Sequence, residues 1–185
     1  MDPVAAAFEA VPREGFLPRA DRSRASYDGP IGIGQGQTNS QPRTVEAMLR
    51  LLAVRPGQQV LDVGAGSGWT TALLGHLTGP TGRVRGVELA PRIAQWGADN
   101  LQHARMPWTS LEVADPEVLG LPDHAPYDRI LVSAEAMSIP EPLIEQLGKG
   151  GRMVVPVSGV MHLVQPNEEG ISVSRHGYYS FVPLR

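Results

Sequence analysis

An apolar run that breaks into glycines constrains this chain more than any other feature: Val60-Leu61-Asp62-Val63-Gly64-Ala65-Gly66-Ser67-Gly68-Trp69. Three glycines at every second position follow what reads as a buried strand, and a helical pattern follows them. Glycine is favoured where φ must be positive or where a ligand must approach the main chain closely. The run therefore predicts a strand whose carboxyl end turns sharply beneath a ligand, with a bare strand-to-helix turn as the alternative.

The flanking sequence supplies the rest of a layered fold. Residues 44–52 carry apolar residues at helical spacing, Gln59–Val63 and Arg83–Glu88 read as strands, 70–77 and 91–102 as helices, and 110–113 and 128–133 as further strands. Strands alternating with helices give a parallel sheet, and right-handed crossovers make it doubly wound, with the ligand site beyond the carboxyl ends of the strands where their order reverses. A short helix is expected over 142–147, stopped by Gly148 and Gly150-Gly151 before a strand at 152–157. Segments 161–165, 171–175 and 178–182 read as antiparallel strands. Residues 1–42 carry a short helical run at 4–10, then many prolines and glycines, so little regular structure is expected there. The apolar and aromatic content of that segment suits a functional loop system that covers a site.

The glycine run also selects among ligands. A dinucleotide fingerprint places glycine at position 69, where Trp69 stands, and a phosphate loop places a lysine after the glycines, which this run lacks. S-adenosylmethionine has no phosphate and needs only close approach and hydrogen-bond donors, which suits Asp62, Gly64, Gly66 and Gly68. Glu88 closes the next strand at about the distance where an acid meets ribose hydroxyls, with Leu89 beside it. Asp62 belongs either to this site or to a helix-end cap or surface charge. Asp115, after the third strand, is either an acceptor for the adenine amino group or a loop aspartate; Glu135, after the fourth, is either a site residue or a cap. Trp69 packs beside the cofactor loop or serves as an ordinary core tryptophan.

Composition excludes several alternatives. At 185 residues one domain is expected, and the absence of cysteine removes disulfides, thiolate ligands and a cysteine nucleophile. A formal charge of -3 without a Lys/Arg block does not suit a nucleic-acid binder, and no apolar run approaches a membrane span. His76, His103, His124, His162 and His176 show no metal-ligand spacing, so no metal is expected. The N-terminus has no basic stretch ahead of an apolar one, which points to the cytoplasm, and a monomer is expected.

The most specific motif lies at the front: Tyr27-Asp28-Gly29-Pro30-Ile31-Gly32-Ile33-Gly34-Gln35-Gly36-Gln37-Thr38-Asn39-Ser40-Gln41-Pro42. It resembles the protein-L-isoaspartate (D-aspartate) O-methyltransferases, whose signature runs Pro-Ile-Gly, a short spacer, Gly-Gln-Thr, one variable residue, then Ser-Gln-Pro. Gly15-Phe16-Leu17-Pro18, Ala125-Pro126-Tyr127-Asp128, Gly150-Gly151-Arg152, Val155-Pro156-Val157 and Phe181-Val182-Pro183-Leu184 extend the resemblance over nearly the whole chain.

The resemblance implies a class I methyltransferase, a Rossmann-like α/β fold with a doubly wound, mostly parallel seven-stranded sheet and helices on both faces. It implies one domain over 1–185, with 1–42 as an N-terminal helix and covering loops and 43–185 as the core with antiparallel C-terminal strands. It further implies S-adenosyl-L-methionine as methyl donor, S-adenosyl-L-homocysteine as product, and the misplaced α-carboxylate of isoaspartyl residues in damaged proteins as acceptor. The ester then collapses to a succinimide, which gives the damaged chain a route back to aspartate.

By motif match Ser40 takes the place of the family's active-site serine. Gln37 and Thr38 border the cofactor, Ile33, Gly34, Asn39 and Ser40 the substrate, and Gly64, Glu88 and Asp115 match cofactor positions. Ser40 would orient the carboxylate rather than attack, its other reading being a cap for the helix at Thr44. The match departs at Asn39, where the family has an aliphatic residue, at Ala114-Asp115-Pro116, where it has Gly-Asp-Gly, and at Glu135, where small apolar residues are usual. The chain stops at Arg185, so contacts from a longer family tail are not expected. Two readings stand beside isoaspartate repair: methyl transfer to another peptide or small-molecule carboxylate, and a non-catalytic module that binds S-adenosylmethionine.

Overall fold

The computed structural model describes residues 2–184; Met1 and Arg185, the ends of the expected 1–185 span, lie outside the described residues. Helix α1 (Pro3–Ala10) begins where the Asp2 carboxylate accepts a hydrogen bond from the Val4 N–H at 3.0 Å, and Pro3 sits at the first turn, where its missing N–H is not needed. Two short 3-10 helices, Arg13–Phe16 and Arg19–Arg24, lead to an antiparallel hairpin of β1 (Ile31–Gly34) and β2 (Gln37–Asn39). This corrects the expectation of an irregular segment. Gln35 and Gly36 both take positive φ, 50° and 75°, as a tight two-residue hairpin turn requires, so the glycines that read as loop serve a turn between strands.

Next come α2 (Pro42–Leu52), β3 (Gln59–Val63), α3 (Trp69–Thr78), β4 (Arg83–Glu88), α4 (Pro91–His103), β5 (Thr109–Val113), β6 (Tyr127–Val132) and the short α5 (Glu141–Ile144). The chain ends in β7 (Leu147–Val157), β8 (Val160–Asn167) and β9 (Gly170–Tyr178). The seven-stranded sheet has the order β5-β4-β3-β6-β7-β8-β9, parallel from β5 to β7 and antiparallel beyond. The chain winds outward from β3 to β5 and returns to β6 on the other side, so a crevice opens between the carboxyl ends of β3 and β6.

Alternation along the central strands feeds two cores. Val60, Val84, Leu131 and Val154 face the side covered by α1 to α4, where Met48, Leu49, Leu73 and Leu74 are buried. Leu61, Val63, Ile130 and Met153 face the side covered by α5, a 3-10 turn at Pro122–His124 and the adjoining loops. Each such leucine or isoleucine contributes about 1.5–3 kcal/mol when fully buried, far more than the tenths by which helix propensities differ. Burial therefore holds α3 helical despite its threonines and Gly75.

Two boundaries differ from expectation. Strand β7 begins at Leu147 and runs through Gly148, Gly150 and Gly151 instead of starting after them, which shortens α5. Its pairing with β6 jumps from Tyr127↔Leu147 to Arg129↔Arg152, and Gly150, at φ 71°, absorbs the extra residues as a bulge. The expected strand 178–182 does not form: Tyr178 is the last residue of β9, and 179–182 lie outside the sheet. Beyond Tyr178 the chain leaves the edge and binds the loop after β6, where the Glu135 N–H donates to the Val182 carbonyl at 2.7 Å and the Leu184 N–H donates to the Glu135 carbonyl at 2.8 Å.

Candidate active site

A cavity of about 930 Å³ occupies the crevice above β3, β4 and β6. Its walls are the hairpin, the glycine loop, the ends of β4 and β6, the loop after β5 and residues 178–184. Gln37, Thr38, Asn39, Ser40, Gly64, Gly66, Glu88, Leu89 and Asp115 all line it. Ile33, Gly34, Asp62 and Gly68 stand outside that lining. Ile33 is buried and backs the loop, since a Cβ on Gly66 would lie 3.4 Å from its Cδ1.

The glycine loop folds as its spacing predicts. Gly64, Gly66 and Gly68 take φ of 77°, 53° and 84°, and the N–H groups of Gly64 and Ala65 both donate to the Val87 carbonyl, which ties the loop to β4. Glu88 is almost fully buried, and its carboxylate accepts from the Gly66 N–H and the Ala90 N–H, each at 3.0 Å. A carboxylate offers about four acceptor positions, so roughly two remain for ligand hydroxyls at the cavity wall. That unspent capacity, the bare glycine backbone and a volume suited to a cofactor plus an acceptor side chain fit S-adenosylmethionine.

Asp62 lies behind the loop, fully buried. Its Oδ2 accepts from the Thr71 hydroxyl at 2.7 Å, while Oδ1 has no hydrogen-bond partner among the described residues. Burial pushes its pKa up to about 7 from 3.8, the Thr71 bond opposes that shift, and the charge of Glu88 adds to it. It is neither a helix-end cap nor a surface charge.

Gln41 occupies the position before α2 without a side-chain capping bond, and the Arg43 N–H donates instead to the Asp28 carboxylate at 3.1 Å. Ser40 makes no side-chain hydrogen bond to any described residue, so its hydroxyl is available at the cavity wall. Asp115 is exposed at the rim and accepts from the Glu117 N–H at 2.9 Å. Glu135 does not line the cavity, and its backbone anchors the C-terminal segment. Trp69 satisfies both of its readings: it lines the cavity, its indole N–H donates to the Val11 carbonyl at 3.1 Å, and Phe8 meets it edge to face at 5.5 Å. Among the described residues no group of three His, Asp or Glu side chains is placed to hold a metal ion, and no helix is long and apolar enough to cross a membrane.

Three features escaped the sequence. Residues 178–184 form part of the cavity wall, with Tyr178 89% exposed at the mouth. Arg13, buried to 5%, donates to the Asn39 amide oxygen and to the carbonyls of Tyr27, Gly29, Asn39 and Ser40, and it lies over the Trp69 ring at 5.5 Å. Burial lowers its pKa, and the charge of Asp28 partly offsets this. From the far side α4 supports the glycine loop, because Asn100 Nδ2 donates to the Ser67 carbonyl at 2.9 Å and Gly97 allows contact with Gly66.

A glycine inside a helix was the one available signal for that contact. A Cβ at Gly97 would sit 2.6 Å from the Gly66 carbonyl oxygen and 2.7 Å from Leu111 Cδ1. Gly97→Ala gains about 1 kcal/mol of helix propensity but drives the new Cβ into the backbone of the glycine loop. We expect the affinity for S-adenosylhomocysteine, measured by titration calorimetry, to fall about tenfold or more, equivalent to about 1.4 kcal/mol. Unchanged or tighter binding would remove Gly97 from the account of the loop.

Comparison with known proteins agrees with this geometry. The family model for protein-L-isoaspartate(D-aspartate) O-methyltransferase matches residues 1–185. A Methanopyrus kandleri protein-L-isoaspartate O-methyltransferase is 46% identical over 187 residues, which covers 98% of this chain and 82% of the relative. A solved protein-L-isoaspartate O-methyltransferase superposes with a TM-score of 0.88 at 25% identity over all of this chain, which spans 62% of that longer chain. A Plasmodium falciparum beta-aspartate methyltransferase crystallised with S-adenosyl-L-homocysteine shares the fold, with a TM-score of 0.86 at 22% identity over 100% of this chain and 91% of its own. The motif at the front, the glycine loop with its buried acid and these matches together place the chain in the protein-L-isoaspartate(D-aspartate) O-methyltransferase family.

Proposed function

We infer that this chain is an S-adenosylmethionine-dependent carboxyl O-methyltransferase that acts on the α-carboxylate of L-isoaspartyl residues in damaged proteins and peptides. The observation that carries the reading is one cavity holding both the Gly64–Gly66–Glu88 wall and the uncommitted hydroxyl of Ser40. When bound, S-adenosylmethionine supplies an electrophilic methyl group and leaves as S-adenosylhomocysteine.

The protein's own residues bind and orient. Glu88 accepts ribose hydroxyls with its remaining acceptor positions, Gly64 and Gly66 admit the ligand against the main chain, Leu89 and Asp115 border the adenine side, and Gln37 and Thr38 close over the top. Asp62 and Gly68 act from behind the loop. Ser40 donates to the acceptor carboxylate, and Asn39, Ile33 and Gly34 hold the hairpin that presents it.

A carboxylate is already ionised at neutral pH, so no general base is needed. Opposite charges disappear as the methyl group moves, and a walled cavity that aligns the reactants and excludes water favours that loss of charge. The same reading makes residues 1–185 one methyltransferase domain: 1–42 cover the site and 43–185 form the core, with Val4 and Ala7 of α1 packed in the same apolar cluster as Leu73 of α3. We further propose that it works in the cytoplasm as a monomer, with no nucleic-acid or membrane partner and no metal.

The test is transfer of labelled methyl groups to an isoaspartyl peptide and to its normal aspartyl twin. Base-labile label should appear only on the first, and equal labelling would overturn the assignment. Ser40→Ala should lower turnover roughly 10- to 100-fold, the effect of one hydrogen bond to a charged group, while the dissociation constant of S-adenosylhomocysteine stays close to wild type. Loss of cofactor binding instead would make Ser40 part of the pocket's framework.

A further inference from the structure

Asn39 joins the two walls of the cavity. Its backbone belongs to β2, one residue before Ser40, yet its side chain crosses to the glycine loop, where Nδ2 donates to the Ser67 hydroxyl oxygen at 3.0 Å. Its Oδ1 accepts from Arg13 Nε at 2.6 Å, and the same guanidinium holds the carbonyls of Asn39 and Ser40. Asn39, Ser67 and Arg13 are all buried, so these bonds do not compete freely with water. Ser67 in turn follows Gly66, whose N–H fixes Glu88, and its carbonyl accepts from Asn100 on α4. A polar path therefore runs from the Ser40 hairpin through Asn39 to the loop and to Glu88. An aliphatic residue at position 39 fills the same space and makes neither bond.

We propose that Asn39 is a positioning residue that couples the two binding events: ligand in the glycine loop fixes Ser67, Ser67 fixes Asn39, and the hairpin carrying Ser40 is thereby held ready for the acceptor carboxylate. The coupling is reciprocal, so an acceptor on the hairpin tightens cofactor binding by the same factor. This rests on the assignment of the cavity to S-adenosylmethionine and an isoaspartyl acceptor. A contact that served only folding would raise both dissociation constants when lost and leave their mutual dependence alone.

The experiment is calorimetric titration of S-adenosylhomocysteine with and without saturating isoaspartyl peptide, for wild type, Asn39→Leu, Ser67→Ala, the double variant and Ser67→Thr. In wild type the peptide should tighten S-adenosylhomocysteine binding about tenfold, within the usual span of such couplings. Asn39→Leu and Ser67→Ala should each reduce that factor below about twofold, the double variant should lose no more than either alone, and Ser67→Thr, which keeps the acceptor oxygen, should retain it. Ser67→Ala, a minimal deletion, supplies the result if Asn39→Leu does not fold. A factor of one in wild type, or a wild-type factor in Asn39→Leu or Ser67→Ala, overturns the coupling. Failure of wild type to methylate the isoaspartyl peptide overturns the functional assignment instead.

Discussion

Replacing Arg13 by alanine is expected to lower folding stability by about 3–5 kcal/mol, a large share of the 5–15 kcal/mol that holds a typical domain together. One guanidinium supplies donors to five oxygens drawn from two separate stretches of chain, Tyr27 with Gly29 and Asn39 with Ser40. A hydrogen bond from a charged donor contributes about 1.5–3 kcal/mol, and a buried acceptor left bare costs about 1–3 kcal/mol, so two abandoned acceptors already reach the stated range. The contact with Trp69 is lost as well. Urea unfolding followed by circular dichroism measures the loss. Arg13→Lys should recover less than half, because an ammonium keeps the charge but cannot reproduce the planar fork. A loss below about 1 kcal/mol for Arg13→Ala would show that the front segment is held by its apolar side chains alone.

That clamp also marks where reading the sequence stops. Gln59–Val63 and Arg83–Glu88 fall where their apolar runs place them, since a buried parallel strand has a local signature. Gly64, Gly66 and Glu88 follow because the ends of such strands are where ligands sit. The hairpin was missed because strands of four and three residues are too short to show alternation. Glycines in β7 imitate a helix stop, and only the register against β6 reveals the bulge they serve. Arg13 with Asn39, and Asn100 with Ser67, are separated by 26 and 33 residues, and nothing periodic links them. Ser40 is instructive in another way: its position allowed a cap or a ligand contact, and the hydrogen bonds around Gln41 and Thr44 leave the hydroxyl uncommitted.

Asp62 should make the stability of the ligand-free protein fall as pH rises from about 4 to about 7. Its pKa is 3.8 when unfolded and is pushed up to about 7 by complete burial, with the Thr71 bond opposing and Glu88 reinforcing. Below about pH 4 both states hold the proton and the group contributes nothing. Between the two values the unfolded chain releases the proton and the folded chain keeps it, so each step upward favours unfolding until the effect levels off near pH 7. The full penalty is roughly 4 kcal/mol at most, and about 2–3 kcal/mol of it falls between pH 5 and pH 8. Urea midpoints at those two pH values should differ accordingly in wild type, and Asp62→Asn should flatten the difference whatever its absolute stability, because an amide does not titrate. Parallel slopes in the two proteins would mean that Asp62 is ionised throughout. The acid sits behind the glycine loop with Oδ1 unpartnered among the described residues, so the Thr71 hydroxyl at Oδ2 is the one group that works against the proton there.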